Sequence, residues 1–317
     1  MKQIKQGVAV IQHNSRIDEN NRPFVEHDVD WQFELTDEEF RKCLEASWIL
    51  KSFSHDVQLF KIVLWNLQEY FDALNSYKES YSRRSTTYPD NRRPELEMNR
   101  RLVNFLTSVT TYLTYTEGNL KGKYGDSSEN LMKFTQHTSK AFDNHFSYRF
   151  LYHLRNYAQH GGLPITDIKF RSGPSESQQT KTEHTIEISI SRDKLLEAHY
   201  NWNPTVRQDL ESGPANIDIN FHLIEFAQEL ATINAKVTDD EALTLIEPAN
   251  FIYHLLQKVS RTDGKIIVVE LEVIQDAEGK VTGAIPIMLH PVNVELVNAI
   301  VNGRWQDVTS NFTLVLV

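Results

Sequence analysis

A single cysteine, Cys43, stands in 317 residues. A lone thiol forms no internal disulfide, and without a Cys cluster there is no zinc-binding framework. Cys43 sits next to Leu44 in a helical pattern and reads as a small core or surface thiol, with no electropositive setting around it to suggest a catalytic one. Long apolar runs are also missing. No stretch approaches the roughly 20 apolar residues of a membrane span. The apolar run in the opening MKQIKQGVAVIQHNS is too short for the central region of a signal peptide. A cytoplasmic chain with no membrane partner is the expectation. An excess of positive charge is absent too: the formal net charge is −10. Bulk electrostatics therefore repel nucleic acid, and any role with nucleic acid must rest on a local basic patch. There is no Gly-x-Ser-x-Gly elbow, no phosphate-cradling loop with Lys, no dinucleotide fingerprint and no His-Glu-x-x-His. Kinase, nucleotidase and dehydrogenase readings have no support, and no cofactor is expected.

The residues that are present suffice for folded cores. Hydrophobic residues make up 40% of the chain, and its length suits about two or three domains. The first segment, residues 1–35, reads as irregular or lightly stranded, with a short strand near Gly7–Gln12. Thr36 followed by Glu39 forms a capping-box signature, so a helix begins near Asp37 and runs to about Lys51. Apolar residues from Leu59 to Leu74 recur at helical spacing and predict a second helix over about 54–81. A third is expected from Pro94 to about Glu117, and a fourth from about Ser127 to His160, stopped by Gly161-Gly162 and Pro164. These helices, joined by short loops, predict a bundle over residues 36–165.

Beyond residue 165 the pattern becomes mixed α/β, over 166–317. Ile165–Phe170 and the alternating Ile186, Ile188 and Ile190 predict a hairpin. Residues 192–260 return to helix with breaks at Pro204, Gly213-Pro214 and Pro248. Strands follow over 265–274 and 281–289, then a short helix over 291–301 and a last strand over 312–317. The fold class expected is mainly α with a smaller α+β part.

The fourth helix carries the sharpest chemical signal, Arg155-Asn156-Tyr157-Ala158-Gln159-His160. Helical residues advance about 100° each, so Phe142, Phe146, Phe150, Leu154 and Ala158 form an apolar stripe. Arg149, Tyr152, His153, Asn156 and His160 lie on the other side. Asn156 and His160 are one turn apart. A guanidinium, a carboxamide and an imidazole at one helix end suit a phosphodiester. The imidazole moves a proton near neutral pH, the guanidinium binds phosphate with a fixed fork, and the amide orients either group. The plain alternative is a helix-end salt bridge or cap. His145, His153 and His160 lie on nearly one face, but no carboxylate or Cys stands at a recognised ligand spacing, and no metal is expected. Arg83, Arg84, Arg92 and Arg93, with Tyr81 and Tyr88 interleaved, form the clearest basic cluster. It suits an RNA backbone with stacked bases, or else a solvated loop. Arg149 and His153 are further candidates for contacting RNA.

The motif resembles that of the HEPN family, whose hallmark is an Arg, usually followed by a polar residue, then a His near the end of a long helix in a bundle. Arg155, Asn156 and His160 match it position by position. The stretch Phe146–Leu151, the segment His160–Pro164 and Asn99–Leu106 also look like uncharacterised bacterial members. The resemblance covers roughly residues 40–165. It implies a HEPN-like four-helix bundle and metal-independent RNA cleavage by the ribose 2′-OH. His160 would be acid or base and Arg155 the phosphate clamp. It further implies a homodimer with a composite site, and a toxin or antiviral defence role with a possible antitoxin or regulatory partner. The alternative is a non-catalytic HEPN-like nucleic-acid-binding or scaffolding protein. Some nucleotide-transferring HEPN systems carry a Tyr two residues past the His. Here that position is Gly162, so the transfer mechanism is not implied.

Overall fold

The computed structural model describes residues 2–17, 22–82, 92–174, 182–261, 263–275, 278 and 281–305. The chain is mostly helical with a smaller strand portion. It forms two compact units, one from residues 1–57 with 238–311, the other from 58–237 with 312–317. These units cut across the three segments expected from the sequence.

In the first unit, β1 (Lys2–Ile17) and β2 (Pro23–Glu34) form an antiparallel pair where only light strand content was expected. β1 also pairs with β6 (Lys265–Gln275), and β6 with β7 (Val281–Pro291), giving the antiparallel order β2-β1-β6-β7. Alternation along the strands sends Val8, Val10, Ile266 and Val268 to one face. That face packs against Phe40, Cys43 and Leu50 of α1 (Asp37–Ser82), α8 (Ile246–Leu256) and α9 (Val294–Val301). Ala9, Ile11, Ile267 and Val269 point the other way, with Trp31 and Leu271. Burial pushes the Cys43 thiol up to about 12, aided by nearby Glu39, so it stays protonated and inert.

The helix expected to break near residue 52 is one 46-residue element, α1. Neither Pro nor Gly interrupts it. The buried positions Cys43, Ala46, Leu50, Phe53, Val57, Phe60, Val63, Leu67 and Tyr70 follow three- and four-residue steps throughout. Its start is the capping box: the Thr36 N–H donates to Glu39 at 2.9 Å, and the Glu39 N–H donates to Thr36 Oγ1 at 3.2 Å.

The second unit holds the later part of α1, α2 (Arg92–Tyr124), α3 (Glu129–Asn144), α4 (Phe146–His160) and the earlier part of α7 (Ile219–Thr244). An N-terminal four-helix bundle confined to 36–165 is not what the structure describes. The chain opens in strands, and α7 contributes Leu223, Phe226, Leu230 and Ile233 to the same core. Two buried phenols tie α7 in. Tyr70 donates to Asn220 Oδ1 at 2.9 Å and Tyr112 to Asn234 Oδ1 at 3.0 Å. The helix expected over 127–160 is two helices, parted at His145, whose extended backbone (φ −118°, ψ 112°) ends α3 and starts α4. Asp143 and Asn144, weak helix formers, precede the break.

The expected hairpin is present as β3 (Asp167–Pro174) against β4 (Thr182–Ser191), and β5 (Asn216–Asp218) extends it to three strands. Two short helices, α5 (Arg192–Glu197) and α6 (Pro204–Ser212), lie between β4 and β5 in sequence. Residues 83–91 and 312–317, where Arg83, Arg84, Tyr88 and the last expected strand fall, lie outside the described residues. Among the described residues no helix is long and apolar enough to cross a membrane.

Candidate functional site

α4 has no Gly or Pro, and its buried positions are Ser147, Tyr148, Phe150, Leu151, Leu154 and Tyr157. The apolar face therefore closes on Tyr157 rather than on Ala158, which is half-buried. The Tyr157 ring stacks on Trp202 (5.4 Å between centroids, 16° between planes) and meets Tyr200 edge-on at 5.7 Å. Trp202 is itself fixed by donating from Nε1 to the Leu195 carbonyl at 3.0 Å. This aromatic packing orients the last turn of α4.

The helix ends where the sequence places its stop. The N–H groups of Gly161 and Gly162 both donate to the Tyr157 carbonyl, at 2.6 and 3.3 Å. A Cβ on Gly161 would lie 2.6 Å from the Tyr157 ring, so only glycine fits there. Gly162 has φ +135°, a conformation that favours glycine, and faces open space.

Arg155 is half-buried, and its Nη1 donates to Asn156 Oδ1 at 3.1 Å. Its Nε is buried without a hydrogen-bond partner. Among the described residues it makes no ion pair, whereas Arg149, Arg100, Arg101, Arg171, Arg192, Arg207 and Arg261 all do. The Asn156 carboxamide also lies beside the Tyr200 hydroxyl, whose pKa burial raises and the amide partly lowers. His160 is exposed. Helix geometry alone puts Arg155 and His160 about 140° apart around the axis and about 7.5 Å apart along it. Asn156 lies only about 40° from His160 in projection. The Arg155–Asn156 hydrogen bond thus draws the guanidinium toward the side of the helix that His160 occupies. A cation without a carboxylate among the described residues, five residues before an exposed imidazole on the same helix, is suited to an anionic ligand.

The other expected RNA contacts divide. Arg149 is committed inside the unit: its Nε donates to Asp209 Oδ2 and its Nη1 to the Phe142 and Asp143 carbonyls at 3.2 and 3.3 Å. Its charge is matched by Asp209, so a phosphate there would compete with that ion pair. His153 sits edge-on to Phe142 and Tyr152, and burial lowers its pKa, so it is neutral at pH 7. Arg93 is exposed at the start of α2 and lines a cavity of about 590 Å³ with Tyr77, Glu97 and Arg101. Arg92 opens the same helix.

Two features escaped sequence reasoning, and a third, Asn99, reads from the sequence only as a surface or interhelical hydrogen-bonder or a support for the site. Tyr200 and Trp202 brace the motif from about 40 residues downstream, with no spacing to announce them. Asn99 is fully buried and clamps the chain just after α4 through Ile165. Ser147 on α4 forms a cluster with His222 and Glu225 of α7. The i, i+3 spacing of His222 and Glu225 was the only visible hint of it. Among the described residues, no three His, Cys, Asp or Glu side chains group closely enough to hold a metal ion.

Comparison of the chain with protein-family models, with curated proteins and with solved structures gives no match.

Proposed function

We propose that the chain is a metal-independent endoribonuclease of the HEPN type, acting in the cytoplasm as a toxin or antiviral defence effector. The observation that carries this reading is Arg155: a half-buried guanidinium with no carboxylate partner among the described residues, held by Asn156 in the last turns of α4, five residues before exposed His160. The later part of α1 with α2, α3 and α4 is read as the HEPN-like bundle, with α7 as an added helix.

In this reaction the 2′-oxygen attacks the adjacent phosphorus as the bond from phosphorus to the 5′-oxygen breaks. The 2′-OH proton passes to a general base, and a general acid protonates the departing 5′-oxygen. The products are a cyclic phosphate and a 5′-OH. Arg155 binds the phosphate oxygens and stabilises the charge that builds on them. His160 moves protons. One imidazole per chain is short of the two proton roles, so a homodimer supplies the second His160. The basic residues Arg83, Arg84, Arg92 and Arg93 track the RNA backbone. An antitoxin or other regulatory partner would cover the exposed His160.

The test is incubation of purified protein with end-labelled RNA in the presence of a chelator. Cleavage is expected to persist, to leave a cyclic phosphate, and to stop at a 2′-deoxy linkage. His160→Ala is expected to lose roughly 10²–10⁴-fold in rate. RNA binding without cleavage would favour the non-catalytic binding or scaffolding reading. Induced expression that arrests growth for the wild type but not for His160→Ala would support the toxin role.

A further inference from the structure

A cavity of about 510 Å³ opens at the other end of α4, within the same unit. Its volume lies inside the range of roughly 300–1,000 Å³ common for small-molecule sites. Arg155 and His160 do not line it. Its walls include Phe146, Ser212, Asn216, Asp218, Phe221 and His222.

The hydrogen bonds already made in these walls determine what a ligand would meet. The Ser147 hydroxyl donates to Glu225 Oε2, which leaves its oxygen to accept from His222 Nδ1 at 2.6 Å. His222 is thereby fixed as the Nδ1–H tautomer, and its other ring nitrogen is an acceptor. Burial keeps the ring neutral against the opposing pull of Glu225 and Asp218. The Ser212 hydroxyl donates to the Gln208 carbonyl at 2.9 Å, so it too offers lone pairs. Asp218 uses Oδ1 to accept the Asn220 N–H at 2.9 Å, which leaves Oδ2 on an exposed carboxylate. Asp209, also at the wall, is matched by Arg149.

The free polar groups are thus acceptors at Ser212, His222 and Asp218, beside an Asn216 amide that can donate or accept, and the Asp218 carboxylate has no ion-pair partner among the described residues. The apolar lining combines the rings of Phe146 and Phe221 with Leu210, Pro214 and Ile217. Phe221 is 55% exposed, a high value for a phenylalanine with no structural reason to face water. The Phe146 ring meets His222 edge-on at 5.2 Å. A fitting ligand is flat, has apolar faces, presents a row of N–H donors along one edge, and bears no negative charge. Guanine has this form, because its ring N–H and exocyclic amino group pair side by side with a carboxylate.

We infer that this cavity is a binding site for guanine as a free base or nucleoside, with Asp218 reading the donor edge, His222 accepting a further hydrogen bond and Phe221 covering the ring. A nucleoside phosphate is disfavoured, because its charge would be brought toward Asp218. The inference is independent of the ribonuclease reading, since it uses none of Arg155, Asn156 or His160.

The experiment is calorimetric titration of the full chain with guanosine, inosine and guanosine 5′-monophosphate. Guanosine is expected to bind, and inosine, which lacks the exocyclic amino group, to bind about tenfold or more weakly. The monophosphate should also bind more weakly than guanosine. Asp218→Asn should erase the preference for guanosine over inosine, and Phe221→Ala should weaken both. Both side chains are exposed, and circular dichroism checks that the variants fold. His160→Ala should bind guanosine like the wild type, which separates this site from the cleavage motif. Absence of guanosine binding at millimolar concentration would overturn the proposal. So would an unchanged preference in Asp218→Asn, or tighter binding of the monophosphate.

Discussion

The Asn99 carboxamide pairs with the backbone of Ile165 in both directions: Nδ2 donates to the carbonyl at 3.1 Å, and Oδ1 accepts the N–H at 2.9 Å. A third bond runs from Nδ2 to the Glu95 carbonyl at 3.0 Å. The side chain stands in for a missing strand. It satisfies two backbone groups that no neighbouring strand reaches, and it pins the chain five residues past His160 to α2. Asn99→Leu should leave both Ile165 groups unpaired in a dry site. The expected loss is about 2–6 kcal/mol, from roughly 1–3 kcal/mol for each of the two orphaned buried groups. Urea unfolding measures it, and a loss below about 0.5 kcal/mol would show that the clamp is dispensable.

The two glycines after α4 should respond differently to alanine. In Gly161→Ala the new methyl meets the Tyr157 ring, which is buried and stacked on Trp202, so a rigid neighbour must yield. Overpacking of this kind costs about 1–3 kcal/mol. Movement of the stack should also change tryptophan fluorescence. Gly162→Ala meets no atom within 4 Å and is strained only through its φ of +135°. It should destabilise the protein with the fluorescence unchanged. An unchanged spectrum for Gly161→Ala would show that the stack does not depend on that contact.

Acid should weaken the fold in two separate windows. Burial holds the imidazoles of His153 and His222 below their ordinary value of 6.5. Above that pH the rings are neutral in both folded and unfolded chains and contribute no slope. As pH falls below 6.5 the unfolded chain takes up protons that the folded chain refuses, so stability drops. The second window belongs to Glu97. The guanidiniums of Arg100 and Arg101 hold its carboxyl at about 2, from 4.5, so its contribution is present above 4.5 and lost as pH falls toward 2. Urea midpoints at pH 8, 7, 6 and 5 should fall in the lower half of that range. His153→Gln should flatten the fall between pH 7 and 5 and leave any loss below pH 4.5 in place. An unaltered slope for the variant would reject the assignment to His153.

Much of the local structure was legible because local chemistry sets it. The Thr36–Glu39 box, the stop at Gly161-Gly162 and the alternating isoleucines of β4 each act over a few residues, and each appears where the sequence places it. What was not legible depends on distant partners. The N-terminal strands are long because β6, some 250 residues away, pairs with β1. The unbroken α1 reflects buried positions that continue through Ser52 and Ser54, where polar residues suggested a gap. The same holds at the candidate site. Arg155, Asn156 and His160 stand out as a motif, yet Arg149 is used up by Asp209, and the braces Tyr200 and Trp202 carry no pattern that links them to α4.

Tyr200 is expected to act as a positioning residue for Arg155. Its hydroxyl lies beside the Asn156 carboxamide, which in turn accepts from the Arg155 guanidinium, so the hydroxyl helps set where the amide, and with it the cation, sits. Tyr200→Phe removes only the hydroxyl. The ring can still pack against Tyr157 and Trp202, at 5.7 and 4.8 Å between centroids, so stability should change by less than about 1 kcal/mol. If Arg155 stabilises charge at the cleaved phosphate, its misplacement should lower kcat by about tenfold and leave KM nearly unchanged, because the interaction is strongest in the transition state. Arg155→Ala should cost more, about 10²–10³-fold. The decisive comparison is the double variant. With Arg155 gone, Tyr200 has nothing left to position, so Tyr200→Phe should cost nothing further in the Arg155→Ala background. Additive losses would mean that Tyr200 acts on the reaction by another route. A change in KM alone would place the Tyr200 hydroxyl in RNA binding rather than in aligning the guanidinium.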